Sequence, residues 1–256
     1  MIEIPLIAII TGVLTISVRL SGLMLFAPFF GSAVIPVRLK AILVLAFTFL
    51  LYPTIGRSLG SSTLAGWPLL VFTEFLIGAG IGIATNVVFE AVQLTGQVLG
   101  IQMGYSLVNI LDPQSQVDTP VVSMFYQSIA MLLFLQMDVH FWLLRAIGNS
   151  FRYVPPGSAH ISSLFTMAIF KTVGEIFSLG VQIAAPVLSA TLAADIILGL
   201  LGKAAPQMPL MLLGPAIKSL LGIGILIATL RYWPDLFHRL FLNAVTNGER
   251  IFHLAS

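Results

Sequence analysis

The chain has 256 residues, of which 58% are hydrophobic and 9% charged, with a net charge of +2 and a mean hydropathy of +1.03. Soluble globular chains carry about a quarter charged residues, so this composition marks an integral membrane protein, and one too weakly basic to suggest nucleic acid as a partner. The absence of cysteine excludes disulfides, thiolate metal sites and a cysteine nucleophile, and leaves the redox compartment open.

At about 20 residues per crossing, the chain has room for roughly six spans in one membrane domain. Apolar runs separated by turn chemistry place them near residues 5–27, 40–56, 67–94, 121–147, 164–200 and 210–233. The opening run carries Glu3 where a signal peptide has a positive region and has no small-x-small cleavage site before Arg19, so a retained first span is expected. Pro28 and Pro36 flank a turn, Pro53 and GRSLGSS close the second span, Pro155-Pro156-Gly157 follows the fourth, and Pro206 and Pro209 bracket the last hairpin. The fifth run is too long for one straight span, and a kink is expected at Pro186. After Pro234, Leu236, Phe237, Leu240, Phe241 and Ala244 share one helical face, with His238, Arg239, Asn243 and Thr246 largely opposite. Such a helix lies at the interface, against a partner, or docked within its own chain.

Arg19, Glu74, Glu90, Glu175, Asp195 and Lys218 fall inside apolar runs. Each would cost about 2.5–3.5 kcal/mol at a lipid-facing helix centre, so each is expected to face protein or water. A transporter would use them as ion or proton sites; an assembly would pair them at helix contacts. Their mixed signs, scattered over most spans, favour pairing, with Arg19, Glu74, Glu90 and Glu175 as the buried charges. Gly96, Gly100 and Gly104 recur every four residues and share a face on which another backbone could approach closely, and Gly78, Gly80 and Gly82 do something similar upstream. That pattern is common in membrane helices and names no function. Asp138 and His140 are two apart and share no helix face, and no HExxH, GxSxG or P-loop motif occurs, so no enzyme, metal or cofactor is expected.

No Lys or Arg occurs from Ser58 to Leu144. Within that stretch, GIQMGYSLVNILDPQSQVDTPVVSMF at 100–125 concentrates Tyr105, Ser106, Asn109, Asp112, Gln114, Ser115, Gln116, Asp118 and Thr119. By itself this is a surface loop or a polar insert at membrane depth, and the latter survives only where protein or a water-filled passage surrounds it.

The runs GIQMGYSLVNILDP at 100–113, PVVS at 120–123, MLLFLQMDVHFWLLRAI at 131–147, FRYVPPG at 151–157 and ILGLLGKAAPQMPLMLLG at 197–214 follow RLSGLMLFAPFFGSAVIPVRLK at 19–40. Together, and in that order, they resemble the FliR family of flagellar biosynthetic proteins and its type III secretion counterparts. Asp138-Val139-His140 stands where that family usually has Asn-Gly-His, and Pro209 where it usually has a polar residue.

The resemblance implies an all-α polytopic membrane protein of about six long, kinked hydrophobic helices. It further implies a FliP-like part over 1–160, then a FliQ-like hairpin with an amphipathic C-terminal helix over 161–256. It implies an export-gate subunit of the flagellar basal body in the bacterial inner membrane, joined to FliP and FliQ, contacted by FlhB, and passing unfolded flagellar proteins without covalent chemistry. The same resemblance makes the insert a pore plug built from Met103, Tyr105, Ser106, Leu107, Val108, Asn109, Ile110, Leu111, Asp112 and Pro113, with DPQSQVDTPVVS favouring the flagellar over the injectisome branch. The runner-up is a secondary transporter for a small solute, which would predict inverted repeats around a midplane site; the two halves show no such correspondence.

Overall fold

An open chain satisfies its backbone groups in hydrocarbon only by forming helices. The computed structural model describes residues 3–32, 34–55, 67–105, 121–155, 163–207 and 210–253. Their regular structure is helical: α1 (Glu3–Phe26), α2 (Val37–Ile55), α3 (Trp67–Gln102), α4 (Val121–Gln136), α5 (Val139–Tyr153), α6 (Ser163–Ala204) and α7 (Leu210–Thr229). A 3-10 turn, Leu230–Tyr232, then leads into α8 (Trp233–His253).

Among the described residues, four helical stretches are long and apolar enough to cross a membrane: Ile9–Phe26, Trp67–Gln102, Ser163–Ala204 and Leu213–Arg250. The count becomes five if α4 and α5 form one broken span. The protein is therefore an all-α polytopic membrane protein with fewer clear crossings than the six expected. One reason is a break in the run expected at 121–147, where Asp138 takes a φ of 57°. Aspartate tolerates this left-handed conformation better than a branched residue would, and it ends α4 and restarts the chain in α5. The other is that the run expected at 40–56, which forms α2, is not among these stretches as described; the stretch expected to stop near 233 still counts once, although it continues through the 3-10 turn into α8. α6 passes Pro186 as a single helix of 42 residues, about 63 Å along its path and about twice the hydrocarbon thickness.

The chain forms two compact units, Met1–Val87 with Met137–Gly174 and Phe241–Ser256, and Val88–Gln136 with Glu175–Leu240. The boundary expected between 160 and 161 lies outside the described residues.

In the first unit, α1 lies directly on the opening part of α3 because glycines face each other there. A Cβ on Gly78 would overlap the Arg19 carbonyl, one on Gly22 would stand 2.8 Å from the Ala79 nitrogen, and one on Gly82 would stand 2.8 Å from the Ala27 nitrogen. All three obstacles are backbone atoms, which cannot rotate away as a side chain can. Gly78→Ala should therefore separate α1 from α3 and destabilise the protein by about 3 kcal/mol, read as a lower thermal midpoint in detergent. Gly148→Ala in α5 is the internal control. Nothing lies within 4 Å of a Cβ there, so that variant should be as stable as wild type or slightly more so. Equal midpoints for the two variants would count against the close approach.

Elsewhere in this unit Phe165 packs with Ala84, Leu76, Ala168 and Ile169. The C-terminal part of α8 reaches Ile81 and Ala84 through Gly248. α8 belongs to this unit from Phe241 onward and to the second unit before it; Phe237 and Phe241 are fully buried, with Leu240, Ala244 and Val245 nearly so, while His238, Arg239, Asn243 and Thr246 are exposed. Of the three placements open to this amphipathic helix, docking within its own chain is the one observed.

Candidate functional site

α3 is the long helix most enclosed by its own chain: 72% of its apolar window is buried, against 28% for Ser163–Ala204. Its second half belongs to the second unit. Gly96 lets α4 approach, since a Cβ there would stand 2.6 Å from Ser123 Oγ and 2.7 Å from the Ser123 nitrogen. Ser123 Oγ donates to the Gln93 carbonyl at 3.3 Å, and Phe89 meets Phe134 edge-on at 5.7 Å between ring centres. Thr95 Oγ1 lies 2.8 Å from the Gly180 carbonyl of α6 and 2.9 Å from its own helix's Ala91 carbonyl, so one proton serves both.

The end of α3 is a Schellman cap. The Tyr105 N–H reaches back to the Gly100 carbonyl at 2.9 Å and the Gly104 N–H to the Ile101 carbonyl at 3.0 Å. That closure needs a left-handed residue, and Gly104 supplies it with a φ of 88°. Gly104 is thus the cap beyond α3 and not, with Gly96 and Gly100, a position on the helix face. A Cβ at Gly104 would also stand 2.7 Å from Pro215 Cβ, so conformation and space both demand glycine.

Around this cap, α6 and α7 hold the tip of α3. Gln102 Nε2 donates to Asp195 Oδ2 at 2.7 Å, and Lys218 Nζ pairs with Asp195 Oδ1 at 2.9 Å. The Tyr105 hydroxyl lies 2.8 Å from Ser219 Oγ. Met103 is buried, its Cγ 3.0 Å from where a Cβ on Gly222 would stand. Of the expected plug, Met103 and Tyr105 occupy this site; Ser106, Leu107, Val108, Asn109, Ile110, Leu111, Asp112 and Pro113 lie outside the described residues. Asp195 and Lys218 stand out in the sequence as charges in apolar runs, but Gln102, Pro215, Ser219 and Gly222 carry no such mark. The signal shared by the α7 residues is the spacing of Pro215, Lys218, Ser219 and Gly222, which puts them on one face of that helix, while Gln102 has none.

A second polar cluster lies in the first unit. Arg19 is fully buried; its Nε meets Glu74 Oε2 at 2.6 Å, its Nη1 donates to Ser150 Oγ at 3.0 Å and its Nη2 to the Val154 carbonyl at 3.1 Å. Its guanidinium carbon lies 4.1 Å over the Phe151 ring. Ser150, Phe151 and Val154 form the last turn and cap of α5, where free carbonyls and the helix dipole favour a cation. The expected burial does not extend to every carboxylate: Glu74 is fully buried, Glu175 is half-buried and Glu90 is exposed on α3.

Residues 10–244 match the family described as bacterial export proteins, family 1. The chain is 30% identical over 212 residues to the flagellar biosynthetic protein FliR of Escherichia coli (strain K12), a match covering 82% of this chain and 80% of that protein. It is 30% identical over 224 residues to FliR of Pectobacterium carotovorum subsp. carotovorum, with 88% and 86% covered. Against FliR of Bacillus subtilis (strain 168) it is 28% identical over 212 residues, with 80% of each covered. With a family match over residues 10–244 and relatives about 30% identical over four-fifths or more of both chains, the chain belongs to the FliR family of bacterial export proteins.

Proposed function

We propose that the chain is a subunit of the export gate of the flagellar type III secretion apparatus in the bacterial inner membrane. There it assembles with FliP and FliQ, contacted by FlhB, into a channel for unfolded flagellar proteins, and plugs that channel at rest with the polar segment that begins at Tyr105. Family membership supports a component of flagellar export apparatus. The plug rests on one observation: α3 ends in a glycine cap whose neighbours, Met103 and Tyr105, are clasped by α7 as the cation-free polar segment begins. A plug must be rooted at one end so that the remainder can yield and return. Passage of a chain forms and breaks no covalent bond, so the role calls for no catalytic residue or cofactor.

The long helices support an assembly. Phe170, Phe177, Ile196, Leu200, Leu220 and Ile227 are all more than half exposed along α6 and α7. A helix of about 63 Å has more such surface than a bilayer of about 30 Å covers, and neighbouring subunits would cover the rest. In this picture residues 1–160 take a FliP-like and residues 161–256 a FliQ-like place. Purification in mild detergent tests it: the tagged chain should elute with FliP and FliQ in one large complex. Elution as a monomer or homodimer that carries a small solute into vesicles would instead favour a secondary transporter.

A further inference from the structure

We infer that Asp195 is a positioning residue, whose carboxylate holds the capped end of α3 in register on α7. Its two oxygens serve two helices at once, accepting from Gln102 of α3 and from Lys218 of α7. The partners on α7 form one stripe: Pro215 against Gly104, Lys218 on Asp195, Ser219 on Tyr105 and Gly222 against Met103. Three of these contacts have little directional grip. Glycine against proline and glycine against methionine are steric fits, and a hydroxyl pair is a neutral hydrogen bond. The carboxylate fork is the charged and directional member, and charge-assisted hydrogen bonds are about twice as strong as neutral ones.

The Asp195 side chain is 41% exposed and that of Lys218 17%. A solvated ion pair by itself adds little stability, so the weight falls on geometry. Sliding α3 by one residue, about 1.5 Å, would take Gln102 out of hydrogen-bond range and Met103 off Gly222 together. Asp195 thereby sets the resting position of Met103 and Tyr105. That this position belongs to a closed gate rests on the proposed function; the clasp itself does not.

The cysteine-free chain permits a direct test in membranes that contain the whole export complex. Met103→Cys with Gly222→Cys places two thiols where the Met103 Cγ now lies 3.0 Å from a Cβ at 222, within the reach of a disulfide. Oxidation should cross-link them rapidly. Adding Asp195→Asn should slow the cross-link about tenfold, the effect of losing one charged hydrogen bond. Gln102→Met, which leaves the Asp195–Lys218 pair in place, should slow it in the same direction and keeps the test valid if the Asp195 variant fails to assemble. Unchanged cross-linking in an assembled complex would overturn the inference. Resting ion conductance, measured alongside, judges the gate separately: slower cross-linking with unchanged conductance would uphold the positioning role and count against a plug rooted here.

Discussion

Arg19→Ala should leave the cell with little folded protein and no assembled complex, a loss of about 3–5 kcal/mol of stability. The guanidinium is fully buried and joins three elements: α1 through its own backbone, α3 through Glu74, and the end of α5 through Ser150 and the Val154 carbonyl. Removing it leaves the Glu74 carboxylate buried without that cation, strips the α5 terminus of its capping charge and opens a void above Phe151. Because a buried carboxylate that has lost this cation is the largest of these costs, adding Glu74→Gln should recover part of the loss. Arg239→Ala is the matched control. Arg239 is exposed and donates at 3.2 Å to the Asp235 carbonyl of its own helix, so its removal should change stability by no more than about 0.5 kcal/mol. Membrane abundance and thermal midpoint in detergent are the measurements. Equal values for the two arginine variants would contradict a structural role for the buried cluster.

That cluster also marks how far a sequence carries. The expense of a charge in hydrocarbon already demands a partner for Arg19, but helical periodicity does not choose among Glu74, Glu90 and Glu175. The choice is made by Gly22 and Gly78, which bring α1 and α3 close enough for Glu74 to reach. Helix type follows from apolar composition, whereas the number of crossings does not: one aspartate in a left-handed conformation splits a run that is apolar on both sides. In α8 the amphipathic pattern identifies the face to be covered, Phe237 and Phe241 at its centre, but not what covers it. Gly104 shows the same limit on a smaller scale. Its spacing from Gly96 and Gly100 fits a helix face, yet its chain position just past Gln102 makes it the cap, because the helix ends where hydrogen bonding to Gly100 and Ile101 turns the backbone left-handed. The contacts of Asp195 span 93 residues to Gln102, beyond any local pattern.

Deleting residues 106–116 should make cells expressing the complex leak ions while the complex still assembles. A resting gate has to exclude ions and remain openable, so its seal should rest on apolar filling by Leu107, Val108, Ile110 and Leu111. Asn109, Asp112, Gln114 and Gln116 would satisfy backbone or bind water, and Pro113 would oppose helix continuation. Cations in this segment would hold water and counter-ions in the passage, and residues 106–116 contain no Lys or Arg. If the closed gate opens on the order of 1% of the time, loss of the seal would raise conductance about 100-fold. Gly104→Asp should raise it less. At a φ of 88° aspartate is strained where glycine is not, and its Cβ would meet Pro215 at 2.7 Å, pushing the root of the segment off α7 without removing the apolar residues beyond it. Assembly should survive both changes, since Gly96 against Ser123 and Thr95 against Gly180 hold α3 to α4 and α6 upstream of the cap. A deleted complex that assembles and stays as tight as wild type in a conductance assay would remove this segment from the seal.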